Sequence, residues 1–116
     1  MERTVFCRTR FVAFHYWPDA PGKYMYLSES HRHEFRVQAN VTVTHDDRDV
    51  EFQHLREQVD AYLHKNYKAR NTPERATSES CEMIADGIGT HLQGLGYKVA
   101  SVEVSEDGEN GAIIRY

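Results

Sequence analysis

Three histidines offer the most specific chemistry in the sequence. His31 and His33 are one residue apart in SESHRHEF, residues 28 to 35, where irregular sequence gives way to alternating apolar and polar residues. Side chains two positions apart on a strand point to the same face, so both rings can approach one point. His15 ends the upstream stretch FVAFH and would add a third ring nitrogen if the two strands pair. Three histidines that leave a fourth position open are the ligand pattern of catalytic zinc sites.

The same spacing also has simpler interpretations. The chain contains seven histidines, and two of them can share a strand face without binding metal. A cupin-type H-x-H site would require a glutamate shortly downstream on the face of His33. The next residues on that face are Phe35 and Val37, whereas Glu34 points to the other face. Spacing alone therefore leaves a metal site and an ordinary strand face open, and it disfavours a cupin site.

Alternating hydrophobicity predicts the strands that must position these histidines. Residues 4–16 alternate loosely and are rich in β-branched and aromatic side chains, and residues 33–44 alternate cleanly with one apolar face. Residues 17–23 contain two prolines and a glycine and are predicted to form a loop. Two further strands, about 98–106 and 112–116, flank the turn DGENG.

Helical spacing predicts two amphipathic helices between the second and third strands. One spans roughly residues 51–65, and the other has Thr77 as its N-cap and ends near Gly94 and Gly96. Each helix has one apolar stripe that must be buried against the sheet. The sequence thus predicts an α+β domain, a four-stranded antiparallel sheet with two helices packed on one face, in the order ββααββ.

Four arginines fall on the two predicted N-terminal strands. Arg8 and Arg10 lie in the first strand, and Arg32 and Arg36 lie in the second. If the strands pair, these guanidinium groups would assemble a local anion site that could hold a triphosphate. A solvated strand face is the alternative.

Length, charge and hydropathy limit the classes of function. A chain of 116 residues can bury one core but not two, so residues 1–116 are expected to form a single domain. The net charge of −4 is scattered along the chain, which disfavours nucleic acid as a partner. No apolar run is long enough to span a membrane, and MERTVFCRTR has charges where a signal peptide would be apolar. A cytoplasmic protein without a membrane partner is expected.

The two cysteines, Cys7 and Cys81, are the only ones in the chain. They are too few for a disulfide framework, and they have neither zinc-knuckle nor redox-pair spacing. We expect both to be reduced structural thiols.

Five motifs in order along the chain, FVAFH, HRHEFRV, DVEF, ATSE and VEVSED, together resemble the 6-pyruvoyl-tetrahydropterin synthase and 6-carboxytetrahydropterin synthase family. The resemblance extends over nearly the whole sequence. It implies the tunnelling fold, in which small subunits form trimers and stacked hexamers with active sites at subunit interfaces. It also implies a small-molecule pterin or purine as the substrate.

The resemblance assigns roles to particular residues. The zinc histidines of the family match His15, His31 and His33, and the zinc would act as a Lewis acid on oxygens of the pterin side chain. The glutamate that anchors the pterin ring matches Glu106, and a carboxylate suits that role because it accepts from two donors at once. Thr77, in ATSE, is a further candidate for substrate binding.

The catalytic residues of the family match less well. The catalytic cysteine is replaced by Leu27, and the Asp–His pair that activates it matches Leu63 and His64, so only His64 is retained. Asp60 lies one helical turn earlier and could orient His64. Glu29 is a candidate general base, because a carboxylate can take the place of a thiolate and some members of the family use a glutamate.

The resemblance favours a zinc-dependent lyase like 6-carboxytetrahydropterin synthase, acting on 7,8-dihydroneopterin triphosphate or a related pterin. The biosynthesis of 7-deazapurines such as those of queuosine would be its context. A protein that binds a pterin or purine without turnover is the first alternative. The second is altered chemistry, such as an aldolase-like cleavage of dihydroneopterin with Glu29 in the mechanism.

Overall fold

The fold is built on a four-stranded antiparallel sheet in the computed structural model, which describes residues 1–116. The strands lie in the sheet in chain order and are β1 (Arg3–His15), β2 (His31–Val43), β3 (Val99–Glu106) and β4 (Asn110–Arg115). Helices α1 (Phe52–Tyr67) and α2 (Cys81–Gly94) fall between β2 and β3 in the chain. The predicted α+β class and the order ββααββ are confirmed.

The pairing of the strands brings the predicted metal ligands and the predicted pterin anchor to one end of the sheet. β1 and β2 pair without a break as far as His15, which lies directly opposite His31. β2 pairs with β3 so that Glu106 lies opposite Phe35. Because alternate residues of a strand share a face, His33 projects from the same side of the sheet as these residues.

Both α-helices pack on that side and bury one hydrophobic core. Its largest fully buried side chains are Phe35, Leu55, Ile84, Ile88, Leu92, Val41, Val59, Val102 and Val104. The residues that alternate with the core positions of β1 and β2 point to the opposite side, where Arg8 and Arg36 are exposed and others, such as Gln38, are half-buried. Neither helix has the length and hydropathy that a membrane-spanning helix requires.

Helix α1 extends two residues beyond its predicted end because its last turn is buried. Tyr67 is only 4% exposed, and its ring stacks on Phe11 of β1 with 4.7 Å between ring centroids. The helix begins after Glu51, whose side chain accepts a hydrogen bond from the backbone N–H of His54. Burial against the sheet therefore fixes the last turn of α1.

The predicted N-cap of α2 was wrong. Ser80 is the N-cap, and its side chain accepts from the backbone N–H of Met83. The backbone of Thr77 is used elsewhere, because its N–H donates to the carbonyl of Phe14 and its carbonyl accepts from the N–H of Tyr16. Thr77 is therefore held in a bridge beside the end of β1, three residues ahead of the cap.

The connection between β1 and β2 contains a 3-10 helix, Gly22–Ser28, that the sequence pattern did not predict. The carbonyl of Leu27 accepts from the backbone N–H of Trp17 at 2.8 Å, which ties this helix to the residues that follow β1. The chain then enters β2 at His31 through Glu29, the C-cap residue.

The β3–β4 hairpin that presents Glu106 depends on a glycine in β4. A Cβ at Gly111 would lie 2.1 Å from the carbonyl oxygen of Val104 and 2.6 Å from the Cα of Ser105. Since backbone atoms cannot move aside without separating the strands, we expect Gly111→Ala to lower the free energy of unfolding by about 1–3 kcal/mol in urea titrations. Gly94→Ala is the control, because nothing lies within 4 Å of a Cβ there. Equal stability of the two variants would contradict this assignment.

Candidate metal centre

His15, His31, His33 and Glu106 form one cluster at the end of the sheet. One candidate ligand atom from each residue lies within 4.8 Å of the others. The ring centroid of His15 is 4.5 Å from that of His31 and 5.3 Å from that of His33. Both pairs of rings meet edge to face. The structure thus brings together the three predicted histidines, together with the predicted pterin anchor.

The hydrogen bonds of the outer ring nitrogens determine how the three rings face the cluster. Nδ1 of His31 is 2.8 Å from the carbonyl oxygen of Glu29, and Nδ1 of His15 is 3.3 Å from that of Glu79. Nδ1 of His33 is 2.6 Å from Oδ2 of Asp107. These partners accept hydrogen bonds only, so each Nδ1 is assigned a proton, and Nε2 is the ring nitrogen left to face the cluster.

A ring nitrogen without a proton accepts a hydrogen bond. The Nε2 atoms of His15 and His33, however, face the carboxylate of Glu106, which is also an acceptor. Oε2 of Glu106 is 2.9 Å from Nε2 of His33 and 3.6 Å from Nε2 of His15. Nε2 of His15 is buried and has no hydrogen-bond partner. Lone pairs that converge on a carboxylate require a cation between them, either a proton or a metal ion. The residues present therefore fit a metal ion with nitrogen and oxygen ligands.

Burial keeps His15 in the form that binds metal. The side chain is 7% exposed and lies 5.1 Å from the ring of Phe35, edge to face. Burial lowers the pKa of His15, because the charged imidazolium loses its hydration in this position. At neutral pH the ring is neutral and can act as a ligand without first losing a proton.

Asp107 is a part of the centre that the sequence reasoning missed. Its Oδ1 accepts from the backbone N–H of Glu34 at 2.9 Å, and its own N–H donates to the carbonyl of Glu34 at 2.7 Å. The bond from the Glu34 N–H and the bond from His33 lower the pKa of the Asp107 carboxyl group. An ionised carboxylate behind a ligand histidine fixes the ring and raises its basicity. The only signal in the sequence was its position directly after Glu106.

Glu79 connects the centre to the helical core. Its carbonyl oxygen accepts from His15, and its carboxylate accepts a hydrogen bond from the hydroxyl of Tyr67. Burial and the Glu79 carboxylate raise the pKa of Tyr67, so the hydroxyl remains a donor at neutral pH. The last turn of α1 thus holds the segment that positions His15.

Cys81 lies close to the centre but does not replace the missing thiolate. Its sulfur is 4.0 Å from Oε1 of Glu106. Burial and the charge of Glu106 raise the pKa of Cys81 to about 12. A thiol with that pKa is protonated at neutral pH and is a poor nucleophile.

The other predicted site residues lie at different distances from the cluster. Glu29 is exposed, and its backbone carbonyl accepts from His31 while its carboxylate has no hydrogen bond or ion pair. Thr77 is buried beside His15, with which it forms a parallel bridge. Leu27, at the position of the family cysteine, is half-buried.

His64 and Asp60 lie in a separate groove between α1 and the outer edge of β1. The groove has a volume of about 400 Å³ and none of the four cluster residues lines it. Asp60 accepts from the hydroxyl of Thr9 and pairs with Arg56 at 3.6 Å, so its carboxylate is engaged with β1 and α1 rather than with His64. Within one chain the structure does not bring His64 to the metal cluster.

Comparison with protein families places the whole cluster within a matched range. A family model described as 6-pyruvoyl tetrahydropterin synthase matches residues 4–116. No individual curated protein matches the chain. The matched range includes every residue of the cluster.

We expect Asp107→Asn to weaken metal binding by about 10–100-fold, because an amide neither carries the charge nor accepts as strongly from His33. Competition with a chromophoric chelator measures this affinity in the folded protein. Asp47→Asn is the control, since Asp47 is exposed and pairs only with Arg48. Equal metal affinities of the two variants would refute the role assigned to Asp107.

Proposed function

The chain belongs to the 6-pyruvoyl tetrahydropterin synthase family, and from this premise we propose that it is a zinc-dependent lyase that resembles 6-carboxytetrahydropterin synthase. Its substrate would be 7,8-dihydroneopterin triphosphate or a related pterin, in a 7-deazapurine pathway of the cytoplasm. The convergence of three imidazoles whose Nδ1 atoms each face a hydrogen-bond acceptor is the observation that supports this proposal most directly. Zinc is the metal proposed, because three imidazoles and an open position match its catalytic sites.

His15, His31 and His33 would hold the zinc through Nε2. Bound zinc would supply Lewis-acid polarisation of an oxygen on the pterin side chain. Glu106 would turn from His33 to the pterin ring and accept from its ring N–H and amino groups. Its carboxylate already faces the cluster, 2.9 Å from Nε2 of His33, and can accept from two donors at once.

Glu29 is proposed as the general base. Its backbone is fixed against His31, which keeps the residue next to the cluster, and its carboxylate is free to accept a proton. Leu27 has no acid or base to offer, and Cys81 is a protonated thiol. Of the groups in this part of the chain, Glu29 is therefore the one suited to proton abstraction.

His64 and Asp60 are proposed to act across a subunit interface. They are remote from the cluster of their own chain, in a groove beside β1, whose outer edge is unpaired. In a homo-oligomer, a trimer or hexamer as the family resemblance implies, this groove can face the cluster of a neighbouring copy. His64 would then serve as an acid or base, and Asp60 would be a positioning residue.

A protein that binds a pterin or purine without turnover is the second candidate. The observation that favours it is the absence of a thiolate, since Leu27 replaces the family cysteine and Cys81 has a raised pKa. An aldolase-like cleavage of dihydroneopterin with Glu29 as the base is a separate alternative, in which catalysis is retained but the reaction is changed.

Incubation of the zinc-loaded protein with 7,8-dihydroneopterin triphosphate tests the lyase proposal. We expect release of triphosphate, measured by phosphate analysis, and loss of the pterin side chain, measured by chromatography. His31→Ala should lose both zinc and turnover, because two imidazoles hold zinc far less tightly than three. If the zinc-loaded protein binds the pterin but leaves it intact, the lyase proposal fails and the binding protein replaces it.

Glu29→Gln tests the general base. We expect turnover to fall by about 100-fold or more, with zinc content unchanged, because the amide keeps the backbone bond to His31 but takes up no proton. Glu74→Gln is a matched control in the exposed 3-10 segment Pro73–Arg75. Full activity of Glu29→Gln would remove Glu29 from the mechanism.

A further inference from the structure

The side of the sheet opposite the metal cluster has a concentration of arginine. Arg8, Arg10 and Arg36 project from this side, and Arg10 lies directly opposite Arg36 in the pairing of β1 with β2. These residues and Arg56 of α1 line an open depression of about 590 Å³. We call this surface, with its two acidic residues Glu34 and Glu103, the arginine face.

The positive charge of the arginine face is only partly neutralised within the chain. Arg36 donates from Nε to Oε1 of Glu34 at 3.2 Å, and Nη1 of Arg10 is 4.0 Å from the same oxygen. One carboxylate therefore serves two guanidinium groups. Arg56 pairs with Asp60 of its own helix at 3.6 Å. The other three arginines of the depression face two glutamates, which leaves an excess of one positive charge in a chain whose net charge is −4.

Arg8 has no carboxylate partner at all. Its Nε donates to the side-chain oxygen of Gln38 at 2.9 Å, and its guanidinium lies 4.8 Å from the centre of the Phe6 ring. These contacts hold the group in place without cancelling its charge. Arg8 is thus held in one orientation, and no carboxylate neutralises its positive charge.

Placing two like charges directly opposite each other on paired strands is unfavourable. An anion bridging Arg10 and Arg36 would remove that repulsion. We propose that the arginine face binds polyphosphate anions through Arg8, Arg10 and Arg36. The site is separate from the proposed lyase function and does not depend on it.

The geometry favours a chain of phosphates over a single small anion. Residues opposite each other on antiparallel strands have Cβ atoms about 5 Å apart, so the guanidinium forks of Arg10 and Arg36 can meet on one phosphate group. Arg8 is two residues further along β1, or roughly 6.8 Å, which is within reach of the next phosphates. Only one apolar residue, Val37, lines the depression, so no surface is present for an aromatic base.

The arginine face cannot bind the triphosphate of a substrate held at the metal cluster of the same chain. Alternate residues point to opposite sides of the sheet, and the histidines and arginines occupy alternate positions. The sequence-based expectation that Arg8, Arg10, Arg32 and Arg36 hold that triphosphate therefore does not apply within one subunit. The ligand proposed for this face is therefore a molecule other than the substrate at the cluster of the same chain.

Isothermal titration of the full-length protein with inorganic triphosphate tests the proposal. We expect binding that weakens as salt rises, and a loss of about tenfold or more in affinity for both Arg10→Gln and Arg36→Gln. Arg48→Gln is the matched control, because Arg48 is an exposed arginine outside this face. All three variants retain the metal cluster, so any binding of triphosphate to metal is common to them. Equal affinities of all three variants would overturn the proposal.

Two further measurements identify what the face recognises. ATP should bind no more tightly than inorganic triphosphate, and orthophosphate should bind at least tenfold more weakly. Tighter binding of ATP would mean that a nucleoside is recognised, which contradicts a pure polyphosphate site. Equal affinities for orthophosphate and triphosphate would also refute a polyphosphate site.

Glu34→Gln is expected to change the affinity for triphosphate in the opposite direction to the arginine variants. Removing the carboxylate that Arg10 and Arg36 share should tighten triphosphate binding severalfold, because both guanidinium groups become free. The melting temperature should rise further on addition of triphosphate in this variant than in the parent protein. An unchanged or weaker affinity would show that Arg10 and Arg36 are not the ligands.

Discussion

The pairing register of β1 and β2 is the constraint on which the site depends. Because side chains alternate with period 2, a shift of one residue in either strand would move His15 or the pair His31 and His33 to the other side of the sheet. The register is fixed by burial, since the apolar residues of this face in β2, from Phe35 to Val41, are almost inaccessible to solvent. Hydrophobic packing along the middle of β1 and β2 thus positions the histidines at the end of these strands.

Charge is divided between the two sides of the sheet by the same alternation. One side has three imidazoles clustered with a carboxylate, and burial lowers the pKa of His15 among them. The other side has guanidinium groups that remain charged at any physiological pH. Glu34 connects the two sides, because its backbone holds Asp107 behind His33 and its side chain lies between Arg10 and Arg36. A sheet one residue thick therefore separates a cation site from a basic surface.

Periodicity predicted much of this fold because its signals are local. The alternation in β2 and the apolar stripes of α1 and α2 are direct consequences of burial on one side, and these elements lie where the sequence predicts them. Thr77 shows the limit of such reasoning. Threonine before a helix is a common cap, but here its backbone is recruited by β1, a contact that lies far away in the sequence.

The site could be predicted only where its motifs are recognisable. Spacing on the strands singled out the three histidines, and the family resemblance gave them a role and added Glu106. Asp107 and Glu79, in contrast, act through tertiary contacts that no local pattern reveals. The separation of His64 from the cluster also could not be foreseen, because it depends on how α1 lies against the edge of the sheet.

The adjacency of Glu106 and Asp107 has a thermodynamic consequence. Glu106 faces Nε2 of His33, and Asp107 is bonded to Nδ1 of the same ring. A single hairpin therefore contacts both nitrogens of one histidine. Any ligand that draws Glu106 away from His33 must change how firmly that ring is held, and hence its affinity for a cation. By linkage, the cation must alter the affinity for that ligand by the same factor. The short turn between β3 and β4 would then couple two binding equilibria.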